Sequence, residues 1–286
     1  MAIKLLTSFF ILQASSSAAA FLPKFRRLTP ILLSNNSMTS SSQIAAILES
    51  PSAERNKGPI YDIVLGSKVF PSLMKNNDDK KIRVLELAAG CGVHSTYFVS
   101  TALAEGMSID WHPSDPDLEA RLSIDARVER DNLADSIRPA NGWILGKAGG
   151  TACNDGTRDK GDAGANNNGV GGVEADYSQY HNYFDLVTCI NMIHIAPWEA
   201  TIGLMECAGK TLRKGGILLC YGPYKIGGTA VESNLNFDRS LKSRDSRWGV
   251  RNLEDVIEEA KKAGLTFDSY TEMPANNLSV LFRKET

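Results

Sequence analysis

Residues 82–94, Ile-Arg-Val-Leu-Glu-Leu-Ala-Ala-Gly-Cys-Gly-Val-His, constrain the fold more than any other stretch of this chain. The first half is mostly apolar and free of proline and glycine, which is typical of a buried parallel strand. The strand breaks at Gly90-Cys91-Gly92, and residues 95–104 then have the composition of a helix. A strand, a glycine turn and a helix form the first crossover of a nucleotide-binding α/β fold, whose ligands bind beyond the carboxyl ends of the strands.

The spacing of the glycines narrows the class of ligand. A dinucleotide fingerprint would place a third glycine where Ser95 stands, which disfavours a nicotinamide oxidoreductase. A phosphate-binding loop would need Gly-Lys-Ser or Gly-Lys-Thr at the end of this turn, where the sequence has Gly92-Val93-His94. Instead, Glu86 precedes Gly90 by four residues, and this order of an acidic residue, small residues and Gly-x-Gly resembles motif one of class I S-adenosylmethionine (SAM) methyltransferases. An ordinary tight turn between a strand and a helix is the alternative.

Composition excludes several classes of partner. The formal net charge is −2, and no basic stripe is present, so we expect no nucleic-acid partner. The five cysteines include no Cys-x-x-Cys pair, which indicates reduced thiols and predicts neither a disulfide framework nor a metal site. The sequence does not indicate the oligomeric state.

Residues 1–42 have the features of a targeting leader. Lys4 precedes an apolar run at residues 5–12 and a run of small residues at 14–20, which is too short for a stable membrane span. Phe21 and a basic, hydroxyl-rich tract without acidic residues follow. This order resembles the bipartite plastid leaders of algae with secondary plastids, so we expect a plastid location. A secretory signal, a mitochondrial presequence and a misassigned start codon on a cytoplasmic protein are the alternatives.

The rest of the chain, residues 43–286, is predicted to form one α/β domain. Ser50 before Pro51 predicts a helix start, and Pro59 predicts the start of a second helix. The other predicted helices are residues 118–134, a helix opened by Pro197 and ended by 214–216, and residues 252–262. The predicted strands after the first are residues 107–111, 143–145, 184–191, 217–221, 266–270 and 278–283.

Helix and strand alternate five times before a hairpin closes the chain. This order predicts a Rossmann-like α/β fold of the class I methyltransferase type, with a seven-stranded, mostly parallel sheet and an antiparallel last strand. Residues 146–177 interrupt the pattern, because they are rich in glycine, asparagine, aspartate and alanine and hold few large apolar residues. Such a segment lacks the apolar surface needed to offset the entropy of ordering, so we predict a disordered surface insertion.

A set of motifs spread along the chain resembles the methyltransferase-like 26 family in content and order. The resemblance covers roughly residues 50–284 outside the insertion and implies a class I methyltransferase fold with SAM as cofactor; the family's substrate is not established. In that family the third strand is usually followed by Leu-Asp-Val, whose Asp is placed to meet the adenine amino group. Here Ile144-Leu145-Gly146 leads into the insertion instead, where Asp155 is one candidate substitute, so the resemblance does not assign the adenine contact. The motifs are residues 52–57, 111–115, 191–195, 221–224, 233–238, 248–251 and 273–277.

The candidate cofactor site lies at the ends of the first, second and fourth strands. A carboxylate just beyond strand two is placed to accept both ribose hydroxyls of a nucleoside. We assign this role to Asp115 in preference to Asp110, which lies within the strand. The predicted SAM-binding residues are Glu86, Gly90, Gly92, Asp115 and Asn191.

The candidate acceptor side consists of polar residues expected above the carboxyl edge of the sheet. Methyl transfer needs alignment of donor and acceptor, and a base only if the acceptor must lose a proton. The predicted function is therefore a SAM-dependent methyltransferase that acts on a small polar molecule, anionic if Arg55 and Arg251 hold it; a non-catalytic SAM-binding scaffold is the alternative. The catalytic candidates are Glu54, His194 and Tyr221, and the substrate-binding candidates are Arg55, Asn56, Tyr224, Asn234, Asp238, Arg251 and Asn276.

Several of these residues have structural interpretations that the sequence leaves open. His194 is suited to supporting the loop after strand four, and the tyrosines are suited to packing as pocket walls. Asn276 fits a turn before the last strand, and Arg251 fits a cation–π pair with Trp248.

The composition of residues 146–177 generates a first prediction. Replacement of this segment by a short flexible linker is expected to leave the melting temperature and SAM binding nearly unchanged, because loop length has little effect on loop-closure entropy. Thermal denaturation and calorimetric titration of the shortened chain measure both quantities. A large loss of either would show that the segment packs on the domain or contributes to the cofactor site.

Overall fold

The computed structural model describes residues 46–75, 80–145, 173–174 and 178–285. The predicted leader, residues 1–42, lies outside the described residues. So does the predicted insertion at 146–177, apart from Val173–Glu174, which form a short strand. Both therefore stay predictions.

A six-stranded mixed sheet forms the centre of the molecule. Its strands are β1 (Lys81–Leu87), β2 (Ser108–Ser114), β5 (Phe184–Ile190), β6 (Leu212–Gly222), β9 (Leu265–Met273) and β10 (Asn277–Lys284). Their order is β2-β1-β5-β6-β10-β9; β2, β1, β5 and β6 are parallel, and β10 is antiparallel to both of its neighbours. The predicted α/β fold with an antiparallel last strand is confirmed.

The seventh position of the sheet is filled by an irregular segment rather than by a regular strand. Residues 137–141 run parallel to β2 through bridges from Trp111 to Ile137 and from Ser114 to Asn141. The strand predicted at 143–145 is therefore wrong as part of this sheet. Trp143–Ile144 (β3) pairs instead with Val173–Glu174 (β4) in a separate two-stranded sheet, as Tyr224–Lys225 (β7) does with Arg251–Asn252 (β8).

The first helical stretch runs without interruption from Pro51 to Met74. Ser50 caps it as predicted, since its Oγ accepts a hydrogen bond from Ala53 N at 3.4 Å. The prediction that Pro59 begins a separate helix is wrong, because Pro59 lies inside α1. Proline lacks the N–H of a regular helical turn, and the helix widens into π turns directly after it. The stretch consists of α1 (Pro51–Ile60), a π-helical segment (Tyr61–Val69) and α2 (Phe70–Met74).

Two helix ends differ from the sequence prediction, and one helix was not predicted. α4 ends at Arg130 rather than at residue 134. α5 ends at Thr211 rather than at residues 214–216, because Leu212 is already extended and pairs with Phe184. Gly215 has a left-handed backbone conformation and lies in a bulge of β6. The helix not predicted is α6. The remaining helices are α3 (Val93–Ala104), α4 (Leu118–Arg130), α5 (Trp198–Thr211), α6 (Glu232–Lys242) and α7 (Leu253–Lys262).

Helices cover both faces of the sheet and produce two apolar cores. One core lies under the helical stretch at 51–74, α3 and α4, and includes Phe70, Phe98 and Trp111. The other lies under α5 and α7 and includes Phe184 and Phe282. All seven residues of β5 are buried, as expected for a central parallel strand.

The contact between α5 and the end of α7 generates a stability prediction. A Cβ on Gly209 would lie 2.3 Å from the carbonyl oxygen of Ala263, so Gly209→Ala must push the two helices apart. We expect a loss of about 1–3 kcal/mol in the free energy of unfolding. Gly58→Ala is the control, because apart from its chain neighbours its Cβ would meet only the Tyr97 hydroxyl at 3.7 Å.

In the control, alanine's higher helix propensity is opposed by the restriction on the residue before Pro59, so we expect a change of less than about 1 kcal/mol. Urea denaturation of both variants measures these values. Equal stability of the two variants would contradict the packing of α5 on α7.

Candidate functional site

The topology of the sheet places a crevice at the carboxyl ends of β1 and β5. From β1 the chain proceeds outward to β2 and residues 137–141, and then returns to form β5 on the opposite side of β1. Such a reversal separates the loops after the two central strands, and ligands of open α/β sheets bind at this point.

The loop from β1 to α3 has three residues in the left-handed region, where glycine is favoured. They are Ala88 (φ 54°), Gly90 (φ 59°) and Gly92 (φ 82°). A Cβ on Gly92 would lie 3.0 Å from Ile124 in α4, so this glycine allows close packing. A Cβ on Gly90 would meet nothing within 4 Å. Gly90 thus borders open space, which suits a ligand that approaches the backbone.

Glu86 is a fully buried carboxylate directly before this loop. Its Oε2 accepts hydrogen bonds from Ser95 Oγ at 2.5 Å and from Trp111 Nε1 at 2.7 Å. Burial raises the pKa of Glu86 to about 7, although the two hydrogen bonds oppose that rise. Glu86 therefore ties β1 to α3 and β2, and supports the loop from beneath.

Asp115, the residue directly after β2, lies beside the same loop. One carboxylate oxygen accepts a hydrogen bond from Gly90 N at 2.8 Å, and the other accepts one from Asp117 N at 2.9 Å. Burial raises the pKa of Asp115 to about 6. Its backbone N–H donates to the carbonyl of Asn141 at 2.8 Å, so the end of the irregular third strand joins the same edge.

The ends of β5 and β6 form the other wall of the crevice. Asn191 has φ 61° and donates its backbone N–H to the carbonyl of Tyr221 at 2.8 Å. His194 is buried, and a Cβ on Gly222 would lie 3.1 Å from its Nδ1. Burial, with the charge of Arg251, lowers the pKa of His194 to about 3, so the ring is neutral.

A polar network of four neutral side chains from four elements consists of two hydrogen-bonded pairs. His94 Nε2 and Asn56 Oδ1 are 2.7 Å apart, and Asn277 Nδ2 donates to Tyr221 Oη at 3.0 Å. Burial raises the pKa of Tyr221, while the hydrogen bond from Asn277 opposes the rise. Burial lowers the pKa of His94 to about 3. Asn56 and Tyr221 are candidates from the sequence, whereas the sequence did not indicate their partners, His94 and Asn277.

Glu54 and Arg55 are exposed on α1. Glu54 pairs with Lys57 at 2.5 Å, and both line a recess with Tyr97, Arg127 and Asp131 on the outer surface of α1, α3 and α4. Glu54 therefore lies in a different environment from the Asn56 side chain.

Tyr224 and Asp238 belong to packed interactions. Tyr224 is in the core under α5 and α7, whereas Tyr221 is in the core on the opposite face. Asp238 accepts hydrogen bonds from Lys225 Nζ at 2.9 Å and Lys242 Nζ at 2.8 Å. Burial favours protonation of Asp238, but these bonds outweigh it and lower the pKa of the carboxyl.

Asn234 and Asn276 dock α6 on the turn that precedes β10. Asn234 Nδ2 donates to the carbonyl of Asn276 at 2.8 Å, and Asn276 Nδ2 donates to Ser233 Oγ at 3.1 Å. Asn276 is exposed with φ 58°. These residues hold the turn, and the next residue, Asn277, contacts Tyr221.

The guanidinium of Arg251 supports the loop after β5. It donates to the carbonyls of Ala196 at 2.8 Å, Arg247 at 2.7 Å and Ile193 at 3.4 Å. It lies 5.7 Å from the ring of Trp198, which replaces the Trp248 partner expected from the sequence.

Three absences apply only to the described residues. Within 46–75, 80–145 and 178–285, no group of three or more His, Cys, Asp or Glu side chains is arranged to hold a metal ion. In the same part of the chain, no helix has the length and apolar content needed to cross a membrane. The described cysteines, Cys91, Cys189, Cys207 and Cys220, are free and buried.

A family model described as "Protein of unknown function (DUF938)" matches residues 48–142 and 164–284. The chain belongs to the DUF938 family. The narrower resemblance to the methyltransferase-like 26 family stays a prediction, because the matching model carries only the DUF938 description.

Solved structures similar to this DUF938 chain include class I SAM-dependent methyltransferases. An O-methyltransferase family protein from Burkholderia thailandensis has a TM-score of 0.56 at 12% identity, with 82% of this chain and 59% of that chain covered. The SAM-dependent methyltransferase SibL has a TM-score of 0.50 at 15% identity, with 76% and 55% covered. An O-methyltransferase family 2 protein from Planctomyces limnophilus, in complex with apigenin, has a TM-score of 0.51 at 14% identity, with 83% and 63% covered.

These similarities show a Rossmann-like methyltransferase fold. The DUF938 chain spans little more than half the length of the first two of these proteins.

The raised pKa values of Glu86 and Asp115 generate a prediction for the pH dependence of stability. The pKa of Glu86 is about 7 in the folded chain, against 4.5 for an ordinary glutamate, so folding favours its protonated form. That stabilisation is complete below about pH 4.5 and is lost as the pH rises through 7. Asp115 acts in the same direction at a lower pH, because its pKa is about 6.

Relative to the wild type, Glu86→Gln is expected to gain about 2–3 kcal/mol of unfolding free energy between pH 5 and pH 8. Urea denaturation at both pH values measures the difference. Asp62→Asn, on an exposed carboxylate, should follow the wild-type trend. Parallel pH profiles for wild type and Glu86→Gln would contradict a buried, protonatable Glu86.

Proposed function

We propose that this DUF938 protein is a SAM-dependent methyltransferase that acts on a small polar molecule. The observation that supports this most strongly is the pairing of Asp115 with Gly90. A buried carboxylate at the end of β2 lies within hydrogen-bond distance of a glycine loop that borders open space. This arrangement suits a nucleoside. Its ribose hydroxyls need a hydrogen-bond acceptor, and its close approach to the protein backbone needs a residue without a Cβ.

The residues around the crevice fit SAM in chemistry as well as in position. Asp115 would hold the ribose, and Asn141, at the end of the third strand, is placed beside it for contact with the base. Asn191 would line the side nearest β5. Neither His94 nor His194 carries a positive charge, because the pKa of each is about 3, so neither histidine would oppose a sulfonium group.

SAM, when bound, would supply an activated methyl group, so the protein needs mainly to align an acceptor with it. The part of this chain that suits alignment is the network of Asn56, His94, Tyr221 and Asn277. It lies at the same carboxyl edge, with α1 above it, and presents hydrogen-bonding groups rather than an apolar wall.

A small acceptor is favoured over a macromolecule by the charge of the chain. The net charge is −2, whereas nucleic-acid binders present a basic surface. An anionic acceptor would require Arg55 and Arg251 to hold its charged group. Arg251 instead donates to three backbone carbonyls, so its guanidinium is used in holding the loop after β5. The alternative of a non-catalytic scaffold is not favoured, since it leaves the polar network beyond the nucleoside site without a role.

Calorimetric titration tests the nucleoside site. Wild type should bind SAM and S-adenosylhomocysteine but not NADH. Asp115→Asn should weaken binding of both by about 1–3 kcal/mol, because it removes an acceptor from the ribose hydroxyls. Asp62→Asn, on the exposed side of the π-helical segment, should bind as wild type does. Unchanged affinity of Asp115→Asn would remove Asp115 from the site, and no binding of either ligand by wild type would overturn the proposed function.

A further inference from the structure

We propose that the recess between α1, α3 and α4 is a second binding site, which takes a small, hydroxylated organic anion with a carboxylate or phosphate group. The recess has a volume of about 290 Å³, near the lower end of the range for small-molecule pockets. Residues that we propose for SAM, such as Glu86 and Asp115, do not line it. This inference therefore stands apart from the proposed function.

Three helices supply polar side chains to the walls of the recess. Glu54 and Lys57 come from α1 and belong to the motif at 52–57, and Tyr97 and Ser100 come from α3. The C-terminal end of α4 forms the third wall. The partial charges at the start of α3 and at the end of α4 have opposite signs and offset each other, so the side chains determine the charge of the recess.

The charged side chains that line the recess leave one cation unmatched. Lys57 Nζ pairs with Glu54 at 2.5 Å, and Arg130 donates two hydrogen bonds of 2.7 Å to Asp131. Arg127, the third cation, forms no ion pair with a carboxylate in the described part of the chain. Three cations against two carboxylates leave one positive charge, and it belongs to Arg127.

Arg127 is a buried cation, since its exposed fraction is only 7%. Its Nε is fully buried and has no hydrogen-bond acceptor among the described residues. Burial raises the pKa of the Cys91 thiol, against the effect of the Arg127 charge, so the thiol stays protonated and does not neutralise the guanidinium. A buried guanidinium without a counter-ion is costly. Because Arg127 lines the recess, an anion bound there would offset that cost.

The contacts that Arg127 makes with the rest of the chain do not require a positive charge. Arg127 and Ser123 are one turn apart on α4 and hold the two backbone groups of Leu48. Ser123 Oγ accepts from Leu48 N at 2.9 Å, and Arg127 Nη2 donates to the Leu48 carbonyl at 2.6 Å. A neutral amide could hold that carbonyl equally well. The charge of the guanidinium and its Nε donor are therefore left for a ligand.

The remaining lining groups indicate that the anion carries hydroxyl groups. Lys57 Nζ lies 4.9 Å from the centre of the Tyr97 ring, so the ammonium is held against α3 as well as by Glu54. The hydroxyls of Tyr97 and Ser100 line the same recess, and each can both donate and accept a hydrogen bond. A small hydroxylated anion matches these groups better than an apolar acid does.

An NMR titration of the full chain tests the site with three probes of similar size: glycerol 3-phosphate, glycerate and glycerol. The buffer contains no phosphate, sulfate or carboxylate. We expect at least one of the two anions to bind and to shift the Nε–H signal of Arg127. Glycerol should bind at least about tenfold more weakly, because it lacks the charged group. The stronger of the two anions identifies the ligand as a phosphate or a carboxylate.

Two variants with matched controls locate the anion. Arg127→Gln keeps a donor for Leu48 but removes the charge, and it should weaken binding by at least about tenfold. Arg239→Gln, on an exposed arginine of α6, should bind as wild type does. Ser100→Trp fills the recess from α3 without changing the contacts of Arg127, and it should abolish binding. Ser67→Trp, on an exposed serine of the π-helical segment, should not.

The outcomes separate this inference from the proposed function. Absence of binding of both anions to wild type, glycerol binding as tight as anion binding, or unchanged affinity in Arg127→Gln would overturn the anion site. Unchanged affinity in Ser100→Trp would show that the anion binds outside the recess, which also overturns it. A wild-type chain that binds glycerate or glycerol 3-phosphate in the recess but binds no SAM would overturn only the proposed function.

Discussion

The buried carboxylate of Glu86 is the interaction on which the candidate site depends. It accepts hydrogen bonds from Ser95 and Trp111, so this one side chain joins the end of β1 to the first turn of α3 and to the middle of β2. Burial of an acidic group without partners is costly, and its two hydrogen bonds offset part of that cost. The loop between β1 and α3 is consequently fixed at both ends by the same group.

The two halves of the crevice are built in different ways. The half that we propose for the nucleoside comes from neighbouring strand ends, β1 and β2, which the parallel register aligns directly. The network half combines Asn56 of α1, His94 of α3, Tyr221 of β6 and Asn277 of β10. Its residues are far apart in the chain and meet only because α1 and α3 cover one face of the sheet while β10 returns beside β6.

This difference explains how much the sequence could predict. The strand, turn and helix around Gly90 and Gly92 are local patterns, as is the closing hairpin, and the structure confirms them. The network could not be derived, since periodicity does not show that Asn56 meets His94. Ala88 has a left-handed backbone conformation, for which the sequence pattern predicts glycine. Pro59 lies inside a helix, where the sequence pattern predicts a helix start. The third strand escaped prediction because residues 137–141 pair with β2 through two bridges rather than a continuous ladder.

The two buried histidines, His94 and His194, contribute hydrogen bonds rather than charges to the side of the crevice that we propose for the acceptor. His94 and His194 each have a pKa of about 3, so neither gains a proton near neutral pH. A neutral imidazole has one fixed N–H and one lone pair, which sets the direction of its neighbours' hydrogen bonds. His94 Nε2 lies 2.7 Å from Asn56 Oδ1, an atom that can only accept, so the hydrogen of the neutral ring is on Nε2. A charged imidazole would donate from both nitrogens, and its charge would oppose the sulfonium of the proposed cofactor. Burial of these rings therefore has two effects, since it fixes the direction of the bond from His94 to Asn56 and keeps both imidazoles uncharged.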